Sequence, residues 1–282
     1  LKGKQEEIGM RTSLVNTVWY SEKRKNLLLL LSEGERDLEQ IKKSLNVTTR
    51  SIMPQIKTLK NQNLITQEHE NFSLTSIGNI IAKNMLPFLE TSRIVEENKD
   101  FWASRNFDAI PRHLFSRIRD LGHYFLIEPD INHMFELPRE FVDNIPKSKS
   151  IITFISYLHP MFLSLYLKAA ESGSDISLFV SEAVQEKMNK EYSEQFSDLT
   201  KMKNATIFLC KENPKIPMIT MTNWFCYICL FNEEERYDHR DVISFDDSSL
   251  KWCDELFDYY RTNSEELCQI TDFEQKTDSS RG

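Results

Sequence analysis

Residues 37–75, DLEQIKKSLNVTTRSIMPQIKTLKNQNLITQEHENFSLT, constrain the fold more than any other stretch of the chain. Asp37 followed by Gln40 makes an N-terminal capping pair, and Leu38, Ile41 and Leu45 then share one helical face. Asn46-Val47 supplies a tight turn. A second helix, capped by Thr48, carries Ile52, Ile56 and Leu59 at i, i+4, i+7 as its buried stripe. Leu64-Ile65-Thr66 and Phe72-Ser73-Leu74 are short strand-like runs joined through 67–71, and Thr75 caps a further helix. Helix, turn, helix and hairpin in this order predict a winged helix-turn-helix.

At about 100° per residue, burying that stripe turns Arg50, Ser51, Pro54, Lys57, Thr58 and Asn61 outward. Such a face suits a helix in the major groove of double-stranded DNA. Arg can read guanine bidentately, hydroxyls can bond base edges or phosphates, and Lys neutralises phosphate. Any solvated helix carries similar residues, so the weight lies in their coupling to the helix-turn-helix-wing order. Pro54 lacks an N–H and clashes with the carbonyl of Arg50, which predicts a helix bent or tightened in its first turns. The wing carries Glu68, His69 and Glu70, which argues against its entry into a minor groove.

Net charge separates the two ends of the chain. Residues 1–86 hold 13 Lys+Arg against 9 Asp+Glu, net +4, whereas the remainder holds 22 against 34, net −12. A basic reader on an acidic body confines contact with a polyanion to one face. The seven Gly form no G-x-G-x-x-G or G-K-[ST] loop, which removes the common nucleotide cradles. No apolar run reaches the roughly 20 residues needed to cross a bilayer, and the polar start LKGKQEEIGM does not read as a signal peptide. The expectation is a cytoplasmic protein with no membrane partner.

Along the chain, residues 1–20 read as a polar lead-in, and Ser21 caps a helix through Leu31 that Gly34 stops. Lys23, Arg24 and Lys25 stand near its start as phosphate contacts or as a solvated face. Ser76 to about Leu89 reads as a helix with Ile77, Ile80, Ile81 and Met85 apolar, bent or stopped at Pro87. A charged helical connector, 87–106, carries Trp102 as an exposed dimer contact or as the lid of the next core. Helices are then expected at Phe107–Leu121, Ile131–Ile145 (broken at Pro138), Met161–Ala170 and Ser181–Thr200, with a last one capped by Asp247 and ending at Arg261. Strands fit Tyr124–Ile127, Ser150–Leu158, Ile176–Val180, Thr206–Leu209, Pro217–Thr222, Trp224–Phe231 and Asp241–Phe245. The expected layout is α+β and multidomain. A winged helix-turn-helix (1–86) and the connector precede an α/β layered domain (107–262) with a largely parallel sheet and an antiparallel edge, then a polar tail (263–282).

No catalytic residue, metal ligand set or cofactor site emerges from these elements. The six His make no H-E-x-x-H or H-x-K, and no G-x-S-x-G elbow exists. Cys226 and Cys229 have C-x-x-C spacing but lie in a continuous apolar run, where a period of two points their sulfurs to opposite faces. The five scattered Cys are read as core residues rather than as a disulfide framework. Asp246, Asp247, Asp254 and Asp258 look like an acidic cluster, with Asp247 better explained as a cap. Ser156, Tyr157 and His159 at a strand end, with Thr222, Asn223 and Trp224 from the hairpin, are the candidate ligand pocket. The competing reading is that they cap helices and fill the core.

SIMPQIKTLKNQNLI followed by FSLTSIGNIIA resembles the winged-helix domain of archaeal ArsR-like regulators. SDISLFVSEAV, IPMITMTNWFCYICLF and YDHRDVISFDDSSLKWCDELFDYYR are similar to the methanogenesis regulatory protein family. The resemblance implies a cytoplasmic archaeal transcription factor with the second domain as sensor or regulatory module; the expectation is a homodimer reading two half-sites, whose second domain senses a small-molecule effector or couples to a partner. It assigns the reading helix to Thr48, Thr49, Arg50, Ser51, Gln55 and Lys57. The second domain also resembles a phospholipase D half without its H-x-K-x4-D motif, which implies no such activity. The alternative is a winged-helix protein-interaction module on a non-catalytic α/β scaffold, which the acidic wing favours. An enzyme on the α/β domain is the third reading.

Overall fold

A computed structural model describes residues 13–129, 136–211 and 214–267. The chain forms two compact units, Leu1–Ser92 and Arg93–Gly282. Among the described residues no helix is long and apolar enough to cross a membrane. Three expected features lie partly outside them: the start of the polar lead-in, residues 131–135 of the helix predicted at Ile131–Ile145, and most of the polar tail.

The first unit comprises α1 (Leu14–Trp19), α2 (Glu22–Ser32), β1 (Arg36–Asp37), α3 (Leu38–Leu45), α4 (Thr49–Asn61), β2 (Ile65–Glu68) and β3 (Asn71–Leu74). α5 (Ser76–Glu97) begins in it. Leu27, Leu28, Ile41, Ile52, Ile56 and Leu59 are fully buried in one core, each contributing roughly 1.5–3 kcal/mol of transfer free energy. The sheet has three strands in the order β1-β3-β2, one more than the hairpin read from sequence. Arg36 and Asp37 pair antiparallel with Phe72 and Asn71, a bridge too short to leave a hydrophobic pattern.

α5 departs from expectation in two ways. It continues through Pro87 without a break, and the hydroxyl of Thr91 donates to the Pro87 carbonyl at 2.8 Å. Of its four expected apolar contacts Met85 is buried and Ile81 half-buried, whereas Ile77 and Ile80 are 56% and 61% exposed. The start of α5 is held against the end of α4's loop. The Thr75 hydroxyl accepts from the Gly78 amide at 3.0 Å, and the Thr75 amide donates to the Leu64 carbonyl at 3.0 Å.

The second unit contains α6 (Lys99–Ala103), α7 (Arg112–Phe115), β4 (Tyr124–Ile127), α8 (Arg139–Val142), β5 (Ser150–Ile155), α9 (Phe162–Glu171), β6 (Asp175–Val180) and α10 (Glu182–Glu191). α11 (Ser193–Lys201), β7 (Ala205–Cys210), β8 (Met218–Thr222), β9 (Cys226–Cys229), β10 (Asp241–Ser244), α12 (Asp247–Thr262) and β11 (Ser264–Glu266) complete it. The eight strands form one sheet in the order β11-β7-β6-β5-β8-β9-β10-β4. Only β5-β6 and β6-β7 pair in parallel; the other five pairs are antiparallel. The largely parallel sheet read from sequence is therefore mainly antiparallel. Its apolar runs reflect burial of both faces, which a parallel sheet shares but does not own.

Alternation splits the side chains between two cores. Ile151, Ile155, Leu178, Val180, Tyr227 and Cys229 lie in one, with α9 and α11. Phe154, Phe179, Cys226 and Ile228 lie in the other, with α12, α6 and α7. The sulfurs of Cys226 and Cys229 thus belong to opposite faces, as their spacing predicts.

Several segments are shorter than their patterns predict. The helix expected over Phe107–Leu121 is reduced to α7 and a 3-10 turn at Ile118–Leu121, although Ile110, Leu114 and Ile118 are all buried. The helix expected over Ser181–Thr200 is two, divided at Tyr192, whose backbone leaves the helical region. The residue capping α12 is Asp246, and Asp247 is its first helical residue. Within the tail, Ser264–Glu266 pairs with β7 as an edge strand. Trp102 is buried, not an exposed dimer contact; its indole N–H donates to the Tyr124 hydroxyl at 2.8 Å.

Arg105 is buried and binds Asp238, with Nη1 2.7 Å from Oδ1, while donating to the Phe101 carbonyl at 3.2 Å. Partial burial pushes the Asp238 carboxyl up, but the hydrogen bond and charge of Arg105 outweigh it and hold the group below its ordinary value.

Two stability tests follow from these contacts. A Cβ at Gly78 would lie 1.9 Å from the Leu64 carbonyl oxygen. Gly78→Ala is expected to cost about 1–3 kcal/mol from overpacking, exceeding the roughly 1 kcal/mol that Ala gains in a helix interior. A lower midpoint in urea unfolding of the first unit would register it. Asp238→Asn leaves the Arg105 guanidinium buried without its counter-charge, at an expected cost of about 2–3 kcal/mol, below the fully buried range because Asp238 is one-third exposed. Since the folded carboxyl is depressed, this contribution is present above the ordinary carboxylate pKa of about 3.9 and lost as pH falls below it. The wild-type advantage in urea should therefore shrink on acidification.

Candidate nucleic-acid interface

The exposed face of α4 is set by how α3 hands over to it. α3 begins in a full capping box: the Gln40 amide donates to Asp37 Oδ1 at 2.8 Å and the Asp37 amide donates to Gln40 Oε1 at 3.0 Å. It ends at Asn46 in the left-handed region (φ 49°, ψ 52°), which Asn tolerates better than most residues. Thr48 takes the N-cap position of α4 with extended backbone but makes no side-chain cap bond. That hydroxyl is left for another partner.

α4 runs unbroken from Thr49 to Asn61 with Pro54 inside it. The proline's lost N–H is accommodated locally, and the Thr58 hydroxyl donates to the Pro54 carbonyl at 2.9 Å. Ile52, Ile56 and Leu59 face the core as expected. Thr48, Thr49, Arg50 and Lys57 are exposed. Ser51 and Gln55 are half-buried and already engaged. Ser51 Oγ donates to the Thr48 carbonyl at 3.0 Å, and Gln55 Oε1 accepts from Arg24 Nη1 at 3.0 Å. The six residues share one helix and its cap, but four of them form the free face. Met53, missed in the sequence because Met usually marks core, is 40% exposed beside Arg50 and Lys57. An apolar side chain there suits a thymine methyl.

The basic run at the start of α2 divides. Arg24 is structural, its guanidinium bonded to the Thr17 carbonyl and to Gln55. Lys25 pairs with Glu22, and Lys23 is exposed. At the wing, Gln67 Nε2 donates to the His69 carbonyl at 3.1 Å and His69 sits at φ 55°. Glu68, His69 and Glu70 are all exposed at its tip, and the carboxylates there oppose phosphate.

In the second unit the candidate ligand residues do not meet. β5 and β8 are antiparallel, with Ile155 opposite Met218 and Ile151 opposite Thr222. Ser156, Tyr157 and His159 therefore follow the end of β5 where β8 begins, and Thr222, Asn223 and Trp224 lie at the other end, roughly 15 Å away. The second three are held by their own loop. Thr222 Oγ1 accepts from the Phe225 amide at 3.1 Å, Asn223 Oδ1 accepts from the Lys149 amide at 2.7 Å, and the Trp224 indole donates to Ser148 Oγ at 3.1 Å. Ser156 donates to the Pro217 carbonyl, His159 Nδ1 accepts from the Met161 amide, and the Tyr157 ring packs on Phe162 and Tyr237. Among the described residues no group of His, Cys, Asp and Glu could hold a metal, so the run from Asp246 to Asp258 makes no carboxylate site.

Two family models match the chain: the N-terminal domain of methanogenesis regulatory protein FilR1 over residues 13–92 and its middle domain over 134–263. The chain belongs to this family. Methanogenesis regulatory protein FilR1 of Methanothrix harundinacea (strain 6Ac) is 24% identical over 255 residues, covering 88% of this chain. The chain spans 56% of that relative's length. Looser likenesses include TrmBL2, an archaeal chromatin protein, with 11% identity over 90% of this chain and 98% of that one at a TM-score of 0.41. Nuc of Salmonella typhimurium, a phospholipase D family member, is 12% identical over 51% of this chain and 99% of its own at a TM-score of 0.36. A regulatory family accords with the missing catalytic motifs of the sequence.

Proposed function

We propose that the chain is a DNA-binding transcriptional regulator in which α4 reads the major groove and the second unit senses an effector or couples to a partner. The observation that carries this is the free face of α4. Thr48, Thr49, Arg50 and Lys57 are exposed around Met53, on a helix whose opposite side is locked in the core. Residues 1–86 would be the reader, 87–106 the connector and 107–262 the sensor. The family match supports the regulatory role. The acidic wing tip supports the other reading, a winged helix that docks on protein.

A homodimer is part of this proposal. Ile77, Ile80 and Phe88 (58% exposed) fall within about 80° on one side of α5. Phe88 meets Trp19 edge-on at 5.0 Å, and Leu14 and Val15 of α1 are exposed as well. An uncovered apolar stripe of this kind is what a second copy covers, and two copies would address two half-sites. For the second unit we propose a phospholipase-D-like layer fold without that family's catalytic motif, supported by the resemblance and by helices on both faces of one mixed sheet.

Binding to DNA upstream of the protein's own and neighbouring genes, at two salt concentrations, tests the reader. Arg50→Ala and Lys57→Ala should each weaken specific binding by about 1–3 kcal/mol, and Lys57→Ala should also lower the salt slope by about one. No preference over random DNA, with both substitutions silent, would transfer the reading to protein docking. Ile80→Glu should shift sedimentation from dimer to monomer, and an unchanged species would remove the α5 interface.

A further inference from the structure

The seam between α2 and α4 is apolar for most of its length and closes on a polar pair. Arg24, Leu27, Leu28 and Leu31 stand at i, i+3, i+4 and i+7, so Arg24 shares the inward face of those leucines near the start of α2. Gln55 lies three residues after Ile52 and four before Leu59, beside the buried stripe of α4. Both side chains are half-buried, and Arg24 Nη1 donates to Gln55 Oε1 at 3.0 Å. The same guanidinium donates through Nε to the Thr17 carbonyl. Thr17 is in the last turn of α1, where carbonyls have no partner within the helix. One side chain therefore ties three helices together.

Both bonds go to neutral acceptors, and Arg24 forms no ion pair among the described residues, so the guanidinium holds geometry rather than neutralising a charge. It has donors only. The Gln55 amide must therefore turn its oxygen to Arg24 and its Nε2 away. Reading adenine takes both ends of a Gln amide at once, the oxygen accepting from N6 and the nitrogen donating to N7. With Oε1 turned toward α2, the two ends cannot face one base edge together. Position on the helix agrees: Arg50, Met53 and Lys57 lie about 140–160° around α4 from Gln55. The resemblance counts Gln55 among the readers, but its side chain belongs to the opposite side of the helix.

We propose that Arg24 is a positioning residue for α4: through Gln55 it sets the rotation of that helix against α1 and α2, and Gln55 reads no base. Rotation matters because a turn of α4 about its axis swings Arg50, Met53 and Lys57 together across the groove they are proposed to enter. Arg suits the place because its planar fork spans two acceptors at a fixed angle, which the point charge of Lys does not. The positioning role rests on the reading of α4 as the DNA-contacting helix; the clamp from Thr17 through Arg24 to Gln55 does not.

Binding of the full chain to its upstream DNA, at several salt concentrations and against single-base variants of that DNA, tests the role. The proteins compared are Arg24→Met, Arg24→Lys, Gln55→Met and the Arg24→Met, Gln55→Met double variant. Each single Met variant should weaken specific binding about tenfold, the double variant no more than the weaker single one, and Arg24→Lys as much as Arg24→Met. The salt slope and the order of preference among bases should stay those of the wild type. If Arg24→Met lowers the salt slope by about one and Arg24→Lys restores it, Arg24 holds a phosphate and the proposal is overturned. Relaxed preference at one base pair in Gln55→Met makes Gln55 a base reader and overturns it as well. So do additive losses, or no loss in any variant. Should Arg24→Met fail to fold, Arg24→Lys and Gln55→Met decide. Hydrogen exchange without DNA reads the clamp alone: the amides of α1 should exchange at least about fivefold faster in Arg24→Lys, and unchanged exchange removes the clamp. Faster exchange in a chain that never prefers its upstream DNA keeps the clamp and overturns the regulator reading, and the positioning role with it.

Discussion

Strands β5, β6, β8 and β9 have almost no solvated face, and the helices of the second unit are placed by the need to cover them. Burial of a polar backbone in such a sheet is tolerable only because each central strand is hydrogen-bonded on both edges. Alternation then sends one set of side chains to α9 and α11 and the other to α12, α6 and α7. The same requirement explains Arg105. A guanidinium in the apolar layer survives because Asp238 and two backbone carbonyls satisfy it.

The first unit solves a smaller problem with fewer residues. Its core is one cluster, and the inward stripe of α4 orients the helix so that Thr49, Arg50, Met53 and Lys57 on its other side are exposed. Close approach at Gly78 and Leu64 docks α5 beside the hairpin, which turns Ile77 and Ile80 outward rather than inward. Recognition and self-association would thus use opposite consequences of one packing arrangement: a polar face left by a buried stripe, and an apolar face left by a helix that buries its other side.

Helix α4, the proposed reader, was legible because each of its signals is local. The Asp37–Gln40 box, the turn at Asn46 and the 52/56/59 stripe involve neighbours within one or two helical turns. Less legible were features decided by distant contacts. Ser51 and Gln55 looked available from their positions on the helix, but Gln55 is taken by Arg24, 31 residues away. Trp102 could lie on a surface or in a core, and its bond to Tyr124 decides for the core. Ser156 to His159 and Thr222 to Trp224 each had the composition of a site edge, and the antiparallel register of β5 and β8 puts them at opposite ends.

The sequence by itself determined the winged helix, the faces of α4, nearly every strand and the opposite facing of Cys226 and Cys229. Those properties follow from periodicity and capping, which are written in residues a few positions apart. Tertiary structure alone decided that most of the sheet is antiparallel, that α5 passes through Pro87 and exposes Ile77 and Ile80, and that Asp241 lies fully buried against the hydroxyls of Tyr227 and Tyr237. Strand direction and a carboxylate's surroundings depend on segments brought together from far along the chain, and no local pattern records which segments those are.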